Sequence, residues 1–106
     1  MLQDLETPAL VLDEGRMSRN ISRMRSRLDT LGVSFRPHVK TCKAIDVARR
    51  MMSTPAGPIT VSTLKEAEYF LAHGVTDILY AVGIAPNKLP HVLALRGQGA
   101  RLTVIL

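Results

Sequence analysis

Five short strand-like runs, most of them rich in Val, Ile, Leu and Thr, alternate along this chain with four stretches of helical periodicity, and glycines, prolines or capping patterns mark most of the joints. Thr7-Pro8-Ala9-Leu10-Val11-Leu12-Asp13 reads as a first strand, with Pro8 near its start, where a missing donor does least harm. Met17, Ile21, Met24, Leu28 and Leu31 form an apolar stripe at helical spacing. A helix is therefore predicted from Glu14 to Leu31, with Gly32 as its terminating residue. Val33 to Arg36 alternates apolar and polar and leads into Pro37 as a short second strand. A second helix is expected from Lys43 to Met52, followed by the breaker cluster Ser53 to Pro58. Ile59 to Val61 is a third strand. Thr63-Leu64-Lys65-Glu66 then fits the capping box of a helix that stops at Gly74. Asp77 to Val82 is a fourth strand, a short helix from Leu89-Pro90 stops at Gly97, and Leu102 to Leu106 is a fifth strand.

Strict β/α alternation with short joints produces parallel βαβ units with right-handed crossovers. Two α/β architectures satisfy it: an open, doubly wound sheet of about five strands, or the front part of a barrel. A closed (β/α) barrel of eight strands takes roughly 250 residues, so 106 residues supply less than half of one. An apolar last strand with no following element to cover it fits the partial barrel, and predicts exposure of Val104 or Leu106. In a barrel, the strands near Val33, Ile59, Ile78 and Thr103 pair in sequence, with Thr7–Asp13 outside that sheet.

The formal net charge of +5 raises nucleic-acid binding as a function. Much of the excess lies in Arg16, Arg19, Arg23, Arg25 and Arg27, which fall mostly off the apolar stripe of the first helix. A solvated outer face accounts for them. Aromatic residues for base stacking make up 4% of the chain, and no nucleic-acid motif accompanies the charge. No apolar run reaches the length of a membrane span, and the N-terminus lacks the basic and apolar regions of a signal peptide, so a cytoplasmic location is expected. Cys42 is the only cysteine, which fits a reducing compartment. His38 and Cys42 fall short of the three or four ligands a metal site needs. His73, just before Gly74, suits the dipole of a helix C-terminus. His91 reads as a surface residue and Tyr80 as a packed core residue.

Lys40, in Arg36-Pro37-His38-Val39-Lys40, follows the second strand at its C-terminal end, the face where catalytic groups project in parallel α/β folds. An amine there can condense with an aldehyde, and Arg36, His38 and Lys43 would supply neighbouring positive charge that activates it. An ordinary solvated lysine at a helix start is the competing reading from position alone.

The ordered blocks Thr7 to Asp13, Arg36-Pro37-His38-Val39-Lys40-Thr41 with Lys43, Val61-Ser62-Thr63-Leu64-Lys65-Glu66-Ala67-Glu68, and Asp77 to Val82 followed by Ala85-Pro86 and Leu89-Pro90 resemble one family. It is the fold-type III pyridoxal-phosphate enzymes related to alanine racemase, in the branch of D-threonine aldolase, D-serine dehydratase and D-threo-3-hydroxyaspartate dehydratase. The resemblance runs from Thr7 almost to the end of the chain. It implies the first part of an alanine racemase-type TIM barrel over residues 14–106, with about four barrel strands. Residues 1–13 would be a strand of a β-domain lying elsewhere. It implies pyridoxal 5'-phosphate as cofactor, with Lys40 as the catalytic, cofactor-binding Schiff-base lysine. Through transaldimination that lysine would become the base that removes an α-proton.

The activity implied is a lyase on a β-hydroxy D-amino acid, by dehydration or retro-aldol cleavage. An amino-acid racemase or a non-catalytic cofactor-binding protein of the same fold are the alternatives. Also implied are a divalent metal whose ligands lie outside this chain, phosphate-binding loops from later strands, and a homodimeric parent. On this reading the chain is an N-terminal fragment, itself inactive. Cys42 stands where relatives often carry histidine or serine, so no catalytic role is expected for it.

Overall fold

Strand order follows chain order. In the computed structural model, which describes residues 1–106, β1 (Ile59–Val61), β2 (Asp77–Gly83) and β3 (Arg101–Ile105) lie side by side and all parallel, in the order β1-β2-β3. Ile59 pairs with Ile78 and Ile78 with Leu102, and a register shift follows between Tyr80 and Gly83. No later strand is inserted between earlier ones, as sequential βαβ units require.

The second predicted strand is displaced. Val33 to Arg36 forms no ladder; the chain instead meets β1 at one parallel bridge, His38 to Thr60. There the Thr60 N–H donates to the Pro37 carbonyl (2.9 Å) and the Val39 N–H to the Thr60 carbonyl (3.0 Å). Pro37 has no N–H to give, which helps to confine the pairing to this short stretch. The strand predicted over Thr7 to Asp13 is not formed either. Those residues pair with no strand, and Leu10 is fully exposed. All of them are exposed, so water satisfies their backbone groups, and no strand lies alongside to build a ladder.

The helices keep their predicted places. α1 (Glu14–Thr30) starts on Asp13, whose side chain accepts the Arg16 N–H at 2.8 Å. α2 (Ile45–Met51) is shorter than the sequence pattern, because Lys43 adopts the left-handed conformation (φ +47) and Ala44 is extended. α3 (Leu64–Ala72) opens on the full capping box. α4 (Leu89–Gly97), preceded by a 3-10 turn over Pro86–Lys88, runs through the glycine expected to stop it. It ends two residues later on Gly99 (φ +103), where the Gly99 N–H donates to the Arg96 carbonyl and the Ala100 N–H to that of Leu95.

Side-chain parity sorts the sheet into two faces. Ile59, Val61, Ile78, Tyr80 and Leu102 are essentially buried, in one core with Ala48 of α2, Ala67 and Phe70 of α3, and Val92 and Leu95 of α4. Alternate residues point the other way: Leu79 and Ala81 are only half-buried and Thr103 is exposed. α1 stands further out and buries no residue completely, leaving Met24 and Leu31 exposed. Hydrogen bonds help to hold it. Arg25 donates to the carbonyls of Met51 (2.9 Å) and Met52 (3.0 Å) at the end of α2, and Arg50 returns to Glu14 (2.7 Å) and Ser18 (3.2 Å). Arg25 is thus a helix cap, not one more solvated arginine. Val104 is half-buried and Leu106 fully exposed.

Candidate active site

Lys40 sits at the C-terminal end of the short pairing between residues 37–39 and β1. Val39 is fully buried on the helix side, so His38 and Lys40 share the parity of the opposite, open face. A tight turn carries Lys40 away from the bridge: the Lys43 N–H closes it onto the Val39 carbonyl at 2.9 Å, and the left-handed backbone of Lys43 completes it. A non-glycine residue in that conformation costs of order 1–3 kcal/mol. The surrounding contacts sustain it. Lys43 Nζ lies 3.8 Å from Oε1 of the buried Glu66, and the Ile45 N–H donates to Tyr69 Oη at 3.1 Å.

Lys40 itself is exposed and enters hydrogen bonding only through its backbone N–H, which donates to His38 Nδ1 at 3.3 Å. Its amine makes no ion pair or hydrogen bond within the chain. On the other side of the ring, His38 Nε2 lies 3.3 Å from Ser62 Oγ, at the C-terminal end of β1. Lys40, His38 and Ser62 therefore meet on one edge, where the open face of the sheet reaches the strand ends.

The cationic surroundings expected for Lys40 are arranged differently. Arg36 donates to Asp77 (2.9 Å) and to the Ile59 carbonyl (3.0 Å), at the starts of β2 and β1 and so at the opposite end of the sheet. Lys43 turns toward Glu66. His38 turns Nδ1 toward the Lys40 backbone N–H at 3.3 Å, a bond that requires an unprotonated Nδ1. Strand direction separates Arg36 from Lys40, a consequence invisible in the linear sequence.

At the start of α3, Glu66 accepts the N–H groups of Ser62 (2.7 Å) and Thr63 (3.2 Å) and so closes the capping box. An apolar cavity of about 480 Å³ lies between Leu10–Leu12, α1 and α2, with His38, Thr41 and Cys42 as its polar wall. Cys42 is half-buried, its thiol 3.5 Å from the Val39 carbonyl. No three His, Cys, Asp or Glu side chains gather anywhere in the chain.

The remaining residues singled out from sequence lie away from Lys40. His73 caps α3, its Nδ1 2.8 Å from the Tyr69 carbonyl. His91 is not simply a surface residue: Nε2 meets Glu68 Oε1 at 2.7 Å and joins α4 to α3. Tyr80 is fully buried, and its hydroxyl accepts a hydrogen bond from Lys88 at 3.0 Å. No helix is long and apolar enough to cross a membrane.

No protein-family model matches the chain. Individual relatives do. D-threo-3-hydroxyaspartate dehydratase from Delftia sp. (strain HT23) is 55% identical over 105 residues, which is 99% of this chain and 28% of the dehydratase. D-serine dehydratase from Dictyostelium discoideum is 34% identical over 98% of the chain, and D-threonine aldolase from Arthrobacter sp. 35% identical over 98%; each is covered to 27% of its length. The chain belongs to the family of these dehydratases and aldolases. The solved Delftia dehydratase superposes with a TM-score of 0.92 at 54% identity, over 98% of this chain and 28% of that one. An alanine racemase-like protein from Idiomarina loihiensis superposes with a TM-score of 0.95 at 44% identity, over 99% and 28%. The chain thus spans just over a quarter of the length of these relatives.

Proposed function

We propose that this chain is the N-terminal part of a pyridoxal-phosphate-dependent lyase acting on β-hydroxy D-amino acids, with Lys40 as the amine that carries the cofactor. The observation that bears most weight is the placement of Lys40. It is an exposed amine without an intrachain partner, on a strained turn at the C-terminal edge of a parallel sheet, in a chain 55% identical to a hydroxyaspartate dehydratase. Sequential strand order, with α2, α3 and α4 sharing one core with a single face of the sheet, supports the first strands of a (β/α) barrel, whose interior is the open face beside Lys40. Residues 7–13, which pair with no strand of this chain, suit a strand that finds its partners in a β-domain beyond residues 14–106.

The residues present fit one end of the cofactor. Lys40 Nζ, exposed and without an intrachain partner, is available to an aldehyde. When bound, the cofactor supplies the carbonyl that Lys40 holds and a ring that withdraws electrons from the substrate α-carbon. The chain supplies the base. Lys40 Nζ would be the group that takes the proton from the substrate α-carbon if the reaction is dehydration. The turn closed by Lys43 N–H and Val39 carbonyl limits how far that amine wanders. A relative's structure is described as a metal-free form, and a divalent metal is proposed for the whole enzyme. This chain gathers no ligand set for one.

The test is turnover by the full-length protein on D-threo-3-hydroxyaspartate, D-serine and D-threonine, with oxo acid, ammonia and aldehyde products followed separately. Oxo acid with ammonia identifies dehydration; aldehyde with glycine identifies the aldol cleavage. Lys40→Ala should abolish whichever is found. Likeness to an alanine racemase-like protein favours a second reading, racemisation, which an inverted amino acid as sole product would establish.

A further inference from the structure

His38 occupies an unusual position between two elements. Its main chain makes the one bridge to β1, and its ring reaches both ways from there: Nδ1 to the Lys40 N–H at 3.3 Å and Nε2 to Ser62 Oγ at 3.3 Å. A backbone N–H can only donate, so Nδ1 carries no proton. The proton is then on Nε2, and it points to the Ser62 hydroxyl. One ring fixes the peptide of residue 40 and ties it to the end of the neighbouring strand.

We propose that His38 is a positioning residue for Lys40, acting as a neutral Nε2–H imidazole that sets the direction in which the Lys40 side chain leaves the backbone. The inference rests on Lys40 being the cofactor lysine and goes beyond it by giving its neighbour a role. The local chemistry favours such a role. Lys40 has a long, flexible side chain with no partner to hold its amine, so its aim depends on the peptide from which it springs. That peptide belongs to a strained turn, with Lys43 at φ +47, where few other groups fix the orientation of residue 40. A neutral ring also adds no charge beside the amine. Lys43, three residues on, is paired with Glu66 at 3.8 Å.

The role separates three substitutions. Asn at residue 38 can accept the N–H two residues on through its short amide oxygen, the geometry of an Asx turn, and so keeps the contact that matters. Gln can reach toward Ser62 but places its acceptor too far out for the Lys40 N–H. Leu keeps the bulk and loses both contacts. The experiment uses the full-length protein with pyridoxal phosphate, borohydride trapping and peptide mapping, alongside nitrogen-15 imidazole spectra of the wild type and thermal melts of every variant.

The neutral Nε2–H tautomer is expected at neutral pH. Trapping at Lys40 should fall by about fivefold or more in His38→Leu and His38→Gln and recover toward wild type in His38→Asn, as loss and return of one hydrogen bond imply. Should His38→Leu fail to fold, the contrast between Asn and Gln carries the same test. A proton on Nδ1, or trapping in His38→Gln equal to wild type, would overturn the role of His38 while leaving Lys40 assigned. Label on another lysine in the wild type would instead overturn the Lys40 reading itself.

Discussion

Glu66 joins three parts of the site, and its removal has a calculable cost. The carboxylate is 9% exposed and accepts the N–H groups of Ser62 and Thr63 at 2.7 and 3.2 Å, while Thr63 Oγ accepts the Glu66 N–H at 3.0 Å. A hydrogen bond to a charged group contributes roughly 1.5–3 kcal/mol. The two here are worth less than twice that, because Ser62 is half-buried and Thr63 exposed, so water can reach the freed donors. The Lys43 contact adds little, at 3.8 Å with the lysine two-thirds exposed. Glu66→Ala should therefore cost about 2–3 kcal/mol, Glu66→Gln, which keeps an acceptor oxygen, about 1 kcal/mol, and Thr63→Ala about 1 kcal/mol as an ordinary lost cap. Equilibrium urea unfolding followed by circular dichroism measures all three, and Glu66→Ala should lower the midpoint by about 1 M. A Glu66→Ala protein within about 0.5 kcal/mol of wild type, the range of unremarkable surface changes, would refute the reasoning.

Two further outcomes follow from local geometry. Gly57 has φ +122 and a Cβ there would lie 2.9 Å from the Asp77 carbonyl oxygen, so Gly57→Ala should destabilise by roughly 1–3 kcal/mol in the same unfolding assay. The Glu68 carboxyl is held below its ordinary range by hydrogen bonds from Lys65 and then His91. A depressed carboxyl contributes stability above its unfolded pKa and loses it as pH falls through the folded one. Acidification below the usual glutamate range should thus weaken the α3–α4 tie, and Glu68→Gln should flatten the acid limb of stability against pH.

What was legible in the sequence is what local chemistry decides. Thr63 and Glu66 announce the start of α3 because a capping box closes within four residues. The strand register was not legible in the same way. Val33 to Arg36 alternates like a strand, yet pairing occurs at residues 37–39, because the position of Thr60 on β1 sets the partner. Thr7 to Asp13 has the composition of a strand and nothing alongside to pair with. Lys40 stands out in the sequence by its place after an expected strand, and the parity of the buried Val39 explains why it faces the open side. Its supposed cationic neighbours illustrate the limit. Arg36 is four residues away in sequence and lies at the other end of the sheet, tied to Asp77, while His38 turns its ring to the Lys40 backbone and to Ser62. Arg25 was missed among the arginines of α1, though its partners, the carbonyls ending α2, are residues that any helix end leaves unsatisfied.

The central claim is that Lys40 carries the cofactor, and reduction of the full-length holoenzyme with borohydride tests it most directly. Peptide mapping should place a single pyridoxyl group on Lys40, with Lys43, Lys65 and Lys88 unlabelled, and Lys40→Ala should remove the label while melting at the temperature of the cofactor-free wild type. A stoichiometric label on any other lysine, or full turnover by Lys40→Ala, would contradict the account.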